Sequence, residues 1–100
     1  MVTWRELPVN AYGEVLDVHQ SEHFSSAVVA LIKQARQEMG WSQETLAQKA
    51  GVSRTGVTMV ENGDRRPTLY FCHALAKALG RDLSEFLRKA ESEGPSSDLR

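Results

Sequence analysis

Residues 43–63 read QETLAQKAGVSRTGVTMVENG and contain two helical patterns separated by a very short turn. Each pattern has an apolar edge at helical spacing, made by Leu46, Ala47 and Ala50 in the first and by Val57 and Val60 in the second. Between them, Gly51 supplies the backbone freedom that a tight bend needs. The stretch therefore predicts a helix, a tight turn and a second helix that face a common core.

Three more helices are predicted around this pair. They run from Phe24 to Met39, from Leu69 to Leu79 and from Leu83 to about Ala90. A serine or threonine able to accept hydrogen bonds from first-turn N–H groups is the predicted cap of four of the five helices, at Ser25 or Ser26, Ser42, Ser53 and Thr68. The predicted fold class is all-α, with five helices.

The composition is typical of one small globular domain. The chain has 100 residues, of which 41% are hydrophobic and 25% are charged, and this length allows a single core. No apolar run approaches the roughly 18 residues of a membrane span, and the first residues lack the basic and apolar segments of a leader. We therefore expect a cytoplasmic location. The single cysteine, Cys72, lies in an apolar helical context and is interpreted as core packing.

Charge is distributed unevenly along the chain. The net charge of −1 splits into −3 for residues 1–23 (one base, four acids), +4 for residues 24–90 (ten bases, six acids) and −2 for residues 91–100 (one base, three acids). The middle of the chain is basic although the whole chain is weakly acidic. A net positive charge is what binding to phosphate requires.

The two ends show no helical period. Residues 1–23 are predicted to form an arm, or a short strand over Glu14 to His19 that would need a partner strand. Residues 91–100, ESEGPSSDLR, are acidic, small and interrupted by proline, and they are predicted to be a disordered tail. The predicted domain therefore covers residues 24–90.

Two patterns could indicate catalysis, and both are weak. His19 to His23 read HQSEH, which matches an inverted zinc-peptidase motif, but such a site needs a third ligand and a walled cleft. Cys72 and His73 are neighbours, and neighbouring side chains on a helix point about 100° apart. No catalytic residue, metal or cofactor is predicted, and the chain is interpreted as a non-enzyme.

Five short motifs in the middle of the chain are similar to those of a known family. They are SQETLA at residues 42–47, AGVS at residues 50–53, ENG at residues 61–63, PTL at residues 67–69 and LAKALG at residues 75–80. Over about residues 24–90 the chain resembles the helix-turn-helix of the Cro and phage-repressor superfamily, also called the xenobiotic-response-element family. The resemblance implies a lambda-repressor-like DNA-binding domain, preceded here by an arm or short strand.

The resemblance implies that the third helix is the recognition helix. The residues that would face base edges are Arg54, Thr55, Thr58 and Met59. Arg54 suits guanine, because its planar fork can donate two hydrogen bonds. Met59 departs from the family, in which a long polar residue is common there, and we expect apolar contact or none. Gly56 also departs, and its missing side chain is interpreted as allowing a close approach to the groove.

Further roles implied by the resemblance concern phosphate and the scaffold. Phosphate contacts are implied for Gln43, Asn62, Arg65 and Arg66. Gln43 would also brace the third helix. Arg36 and Glu61 would form a buried ion pair that joins the first helix to the end of the third.

The function indicated is that of a sequence-specific DNA-binding transcriptional regulator, and the preferred interpretation is a repressor. It would bind a palindromic operator in double-stranded DNA as a homodimer, with Leu83, Phe86 and Leu87 as the dimer interface, because these exceed what a terminal helix needs for its own packing. A phage-type repressor, a restriction-modification controller and an antitoxin remain open within this class.

Another alternative is a protein-interaction module that has kept the fold and lost DNA binding. In either reading, residues 1–22 could hold a partner protein or pack across the dimer. Acid beside a DNA-binding face would repel phosphate, so we expect this arm to lie away from that face.

Overall fold

In the computed structural model, the described part of the chain is residue 11 and residues 18–92, with side chains described for residue 11 and residues 21–92. These residues form five α-helices and no strand, which confirms the all-α prediction. The helices are α1 (Val18–Glu38), α2 (Gln43–Ala50), α3 (Arg54–Glu61), α4 (Leu69–Ala78) and α5 (Leu83–Ser92). In the described part of the chain, none of them has the length and apolarity required to cross a membrane.

Three helices begin at the predicted caps. In each case the side-chain hydroxyl oxygen accepts a hydrogen bond from a backbone N–H of the first turn. The Ser42 oxygen accepts from Thr45 (3.0 Å), the Ser53 oxygen from Gly56 (2.9 Å) and the Thr68 oxygen from Phe71 (3.0 Å). These bonds satisfy donors that a helix leaves without an internal partner. Gly51 ends α2 with a φ of 73°, and the following N–H, of Val52, reaches the Ala47 carbonyl at 3.0 Å. The tight turn between α2 and α3 is thus closed as predicted.

One hydrophobic core receives residues from all five helices. Its buried members are Val28, Ile32, Ala35, Leu46, Ala47, Val57, Cys72, Leu75, Ala76, Leu79, Phe86 and Ala90. Leu46 and Val57 have no exposed surface, so α2 and α3 meet at the centre. Burial raises the pKa of the Cys72 thiol, as packing in an apolar surrounding should. Met39, predicted to lie on the apolar face of the first helix, is instead 50% exposed, because it follows the last residue of α1.

The first helix starts earlier than the sequence predicts. α1 begins at Val18 instead of Phe24, so Ser25 and Ser26 lie inside the helix and do not cap it. The predicted strand over residues 14–19 is wrong at Val18 and His19, which are helical, and its residues 14–17 lie outside the described residues. The side chains of residues 21–23 are all exposed, which explains the absence of an apolar period in this part of the helix.

Phe86 has a different role from the predicted one. It is 3% exposed in the single chain and belongs to the hydrophobic core, where α5 packs against α1. It is therefore unavailable to a second copy, and its assignment to a dimer interface is corrected. Leu83 and Leu87 are half-buried and pack against the edge of the same core.

The burial of Phe86 predicts the effect of its truncation. Phe86→Ala should lower the free energy of unfolding by about 3–5 kcal/mol, because it leaves a cavity between α1 and α5. Urea denaturation followed by far-UV circular dichroism measures this change. Leu69→Ala is the control, since Leu69 is 72% exposed and its truncation should leave stability nearly unchanged. Similar losses for the two variants would contradict the core assignment.

Candidate nucleic-acid interface

α3 has a buried face and an exposed face. Its two valines belong to the interior, whereas Arg54 and Thr55 in its first turn are exposed. Thr58 and Met59 follow one helical turn later and are half-buried. The structure therefore places the four residues predicted to face base edges along one side of α3.

Gly56 does not lie on that side. It is buried, and a Cβ atom built on it would come within 3.0 Å of Ser53 Oγ and 3.3 Å of the Phe71 ring. The hypothesis that Gly56 allows a close approach to the groove is therefore wrong. Its missing side chain makes room for the first turn of α4 against the first turn of α3.

Arg36 and Glu61 form a bidentate ion pair. The distances are 2.8 Å from Arg36 Nε to Glu61 Oε2 and 3.0 Å from Nη2 to Oε1. The third guanidinium nitrogen donates to the carbonyl of Trp41 at 2.7 Å. The two side chains are only 10% and 2% exposed, so the pair joins α1 to the end of α3 in a largely dry site.

Gln43 connects α2 to the same pair. Its Nε2 donates to Glu61 Oε1 at 2.8 Å, and its Oε1 accepts a hydrogen bond from the Thr58 hydroxyl at 2.6 Å. Gln43 therefore braces α3, and one of its two amide hydrogens remains for another acceptor. Because the Thr58 hydrogen is donated to Gln43, the Thr58 side chain offers an acceptor oxygen and a methyl group to any ligand.

The loop after α3 presents the predicted phosphate-binding side chains. Asn62, Arg65 and Arg66 are all exposed. The backbone N–H of Arg65 donates to the Met59 carbonyl at 3.2 Å. The guanidinium of Arg65 lies 3.6 Å from the Met59 sulfur. Met59 thus lies between the exposed side of α3 and this basic loop, where it contacts Arg65.

An acid also reaches this loop. Glu22, in the early part of α1, forms an ion pair with Arg66, 44 residues away in sequence. The expectation that the acidic N-terminal segment lies away from the predicted DNA-binding face is therefore wrong for Glu22. Sequence reasoning missed this residue because the contact depends on the helical extension of α1, which carries no apolar period.

The arrangement of α2 and α3, with a supported helix whose outer side is exposed, defines a helix-turn-helix domain. A helix-turn-helix family matches residues 32–86. The chain is 38% identical over 64 residues to an uncharacterized HTH-type transcriptional regulator from Methanothermobacter thermautotrophicus, a match that covers 64% of this chain and 93% of that protein.

Two solved structures are similar to this fold. The wild-type restriction-modification controller protein C.Esp1396I is 31% identical, with a TM-score of 0.61, and the match covers 68% of this chain and 91% of that one. An XRE-family like protein from Pseudomonas syringae pv. tomato is 27% identical, with a TM-score of 0.66, and the match covers 78% and 93%. The chain belongs to the Cro and xenobiotic-response-element family of helix-turn-helix regulators.

The buried ion pair predicts a large loss of stability when it is broken. Glu61→Ala should lower the free energy of unfolding by about 3–5 kcal/mol, because it leaves Arg36 in a dry site without its partner. Chemical denaturation of the purified protein measures the loss. Glu85→Ala serves as the control, because Glu85 pairs with Arg81 at the surface, where ion pairs contribute little. An unchanged denaturation midpoint for Glu61→Ala would refute the scaffold role.

Proposed function

We propose that this regulator acts in the cytoplasm as a homodimer that binds a palindromic operator and represses transcription from an overlapping promoter. The observation that supports DNA reading is the outward side of α3, where Arg54 and Thr55 are exposed while Val57 and Val60 are buried on the opposite side. A helix presented in this way can enter the major groove. In a dimer, two such helices would lie about 34 Å apart and read successive turns of DNA.

Base reading is proposed for the first two turns of α3. Arg54 is exposed at the helix start and would donate two parallel hydrogen bonds to guanine. The Thr58 oxygen would accept from an exocyclic amine of adenine or cytosine, since its hydrogen is bound to Gln43. Thr55 and Met59 would supply a hydroxyl, methyl groups and apolar contact.

Phosphate binding is proposed for side chains that flank α3. They are Gln43 on one side and Asn62, Arg65 and Arg66 on the other. Such contacts set the register and orientation of the protein on DNA without specifying sequence. They also make the affinity fall steeply as salt rises.

Selection of bound sequences from a random duplex library tests the proposal and supplies the operator. Enrichment of a two-fold symmetric sequence is the expected result. Recovery of no preferred sequence, although the protein is folded, would contradict a sequence-specific role.

Arg54 and Arg65 should respond differently to truncation. Arg54→Ala should lose about 1–3 kcal/mol on the selected operator and relax the preference at one base pair, because a base contact is removed. Arg65→Ala should weaken all sequences alike and reduce the salt slope by about one, because a phosphate contact is removed. Fluorescence anisotropy with operator and scrambled duplexes measures both. An equal loss on the two duplexes for Arg54→Ala would make it a phosphate contact.

Dimerisation is proposed to use the outer edge of α5, where Leu83 and Leu87 keep part of their surface exposed. Leu83→Ala and Leu87→Ala should each weaken the dimer by about 1–2 kcal/mol, because apolar surface that the dimer buries is lost. Sedimentation velocity measures the change. Tyr70→Ala is the control, because Tyr70 is 77% exposed and lies on α4. A wild-type protein that is monomeric at micromolar concentration yet binds its operator tightly would overturn the proposal.

A protein-interaction module that has kept the fold and lost DNA binding is the second candidate function. It is favoured by two large apolar side chains on the surface, Leu69 at 72% and Tyr70 at 77% exposure. Residues 1–22 are the segment proposed to hold a partner protein, and most of them lie outside the described residues. Failure to bind mixed genomic fragments even at low salt would favour this function over the first.

A further inference from the structure

The start of α1 lies beside the loop between α3 and α4. A groove of about 730 Å³ separates them, and its polar lining includes Ser25, Ser26, Lys33, Asn62, Arg65 and Arg66. Glu22 also lines this groove, where it forms the ion pair with Arg66. A carboxylate is therefore in direct contact with one of the side chains proposed to bind DNA phosphate.

Glu22 is the acid of this groove that contacts Arg66. The other acid in the lining is Glu61, whose side chain is 2% exposed and is bound to Arg36 and Gln43. The side chains of Arg66 and Glu22 are 77% and 45% exposed. Both reach solvent, so the pair can open without any change in the core.

We propose that Glu22 competes with DNA phosphate for Arg66 and thereby lowers the affinity of the domain for DNA of every sequence. The inference rests on the DNA-binding function proposed above. A guanidinium binds carboxylate and phosphate through the same planar fork of donors. A phosphate must either displace the carboxylate from Arg66 Nη2 or bind another edge of the guanidinium, and in both cases a charge of its own sign lies nearby.

The same competition changes the salt dependence of binding. Each phosphate neutralised by an unpaired cation contributes about −0.9 to the slope of log affinity against log salt. When Arg66 turns to DNA, the negative charge of Glu22 stays beside the site and offsets part of the charge that Arg66 neutralises, so fewer counterions are released. The salt slope is therefore a readout that a merely structural role of Glu22 would not move.

Glu22→Gln tests the proposal, and Glu85→Gln is its matched control. Glu85 forms another exposed ion pair, with Arg81, where α5 meets the end of α1, and the side chains of Arg81 and Glu85 are 39% and 50% exposed. Both substitutions remove one negative charge and one arginine partner, but only the first does so at the loop between α3 and α4. Binding is measured by fluorescence anisotropy on a mixed-sequence duplex across a series of salt concentrations, and thermal melting checks that each variant is folded.

Relative to the control, Glu22→Gln should raise the affinity about two- to fivefold at low salt, the range expected for an exposed ion pair. It should also steepen the salt slope by up to about one. The gain should be the same on the operator and on scrambled DNA, because Arg66 is proposed to contact phosphate. In an Arg66→Ala background, Glu22→Gln should have no larger effect than Glu85→Gln.

Three results would overturn the proposal. Equal gains from Glu22→Gln and Glu85→Gln would show a general charge effect. A gain that persists without Arg66 would exclude competition for that side chain. A loss of affinity in Glu22→Gln would mean that Glu22 orients Arg66 toward phosphate. If the wild-type protein binds no duplex at low salt, the proposed function fails and this inference with it, whereas the first three results refute the inference alone.

Discussion

Arg36 and Glu61 form the contact on which the position of α3 depends. Arg36 lies in the last turn of α1 and Glu61 is the last residue of α3, so the pair fixes one end of the short helix against the longest one. Gln43 adds α2 to the same network. In the described part of the chain, every buried side-chain nitrogen and oxygen has a hydrogen-bond partner. Displacing α3 would therefore leave a buried charge unpaired, which is strongly unfavourable.

The need for such a scaffold follows from the length of α3. It has 8 residues, and isolated helices shorter than about 12–15 residues are marginal in water. Its stability must come from Val57 and Val60 in the core, from the Ser53 cap at one end and from Glu61 at the other. Because all of these act on the inner side and the ends, the outer side is left for recognition. Arg54 and Thr55 on that side can change what is bound without changing how the helix is held, whereas Thr58 is also bonded to Gln43.

The parts of the fold that the sequence predicts well depend on short-range interactions. Ser42 and Ser53 cap helices through bonds to residues three positions away, and Gly51 closes a local turn, so their patterns are visible in the letters. The Arg36–Glu61 pair was predicted only through the family resemblance. The sequence predicts the wrong role for Phe86, because periodicity identifies an apolar face but not whether that face meets the same chain or a second copy. At the candidate interface, helical spacing predicts which side of α3 faces outward. It does not predict that Glu22 contacts Arg66.

Glu22 illustrates why charge must be counted in space and not along the chain. Counted by segment it belongs to the acidic end of the sequence, yet α1 places it against Arg66. Exposed charges are screened beyond about 10 Å at 0.1 M salt, so an acid in contact with the basic loop affects phosphate binding more than distant acids do. The +4 of residues 24–90 therefore leaves out an acid, Glu22, that is in contact with the basic loop of that segment. Since an exposed ion pair contributes little to stability, such an acid can adjust DNA affinity while the core and the reading side of α3 stay unchanged.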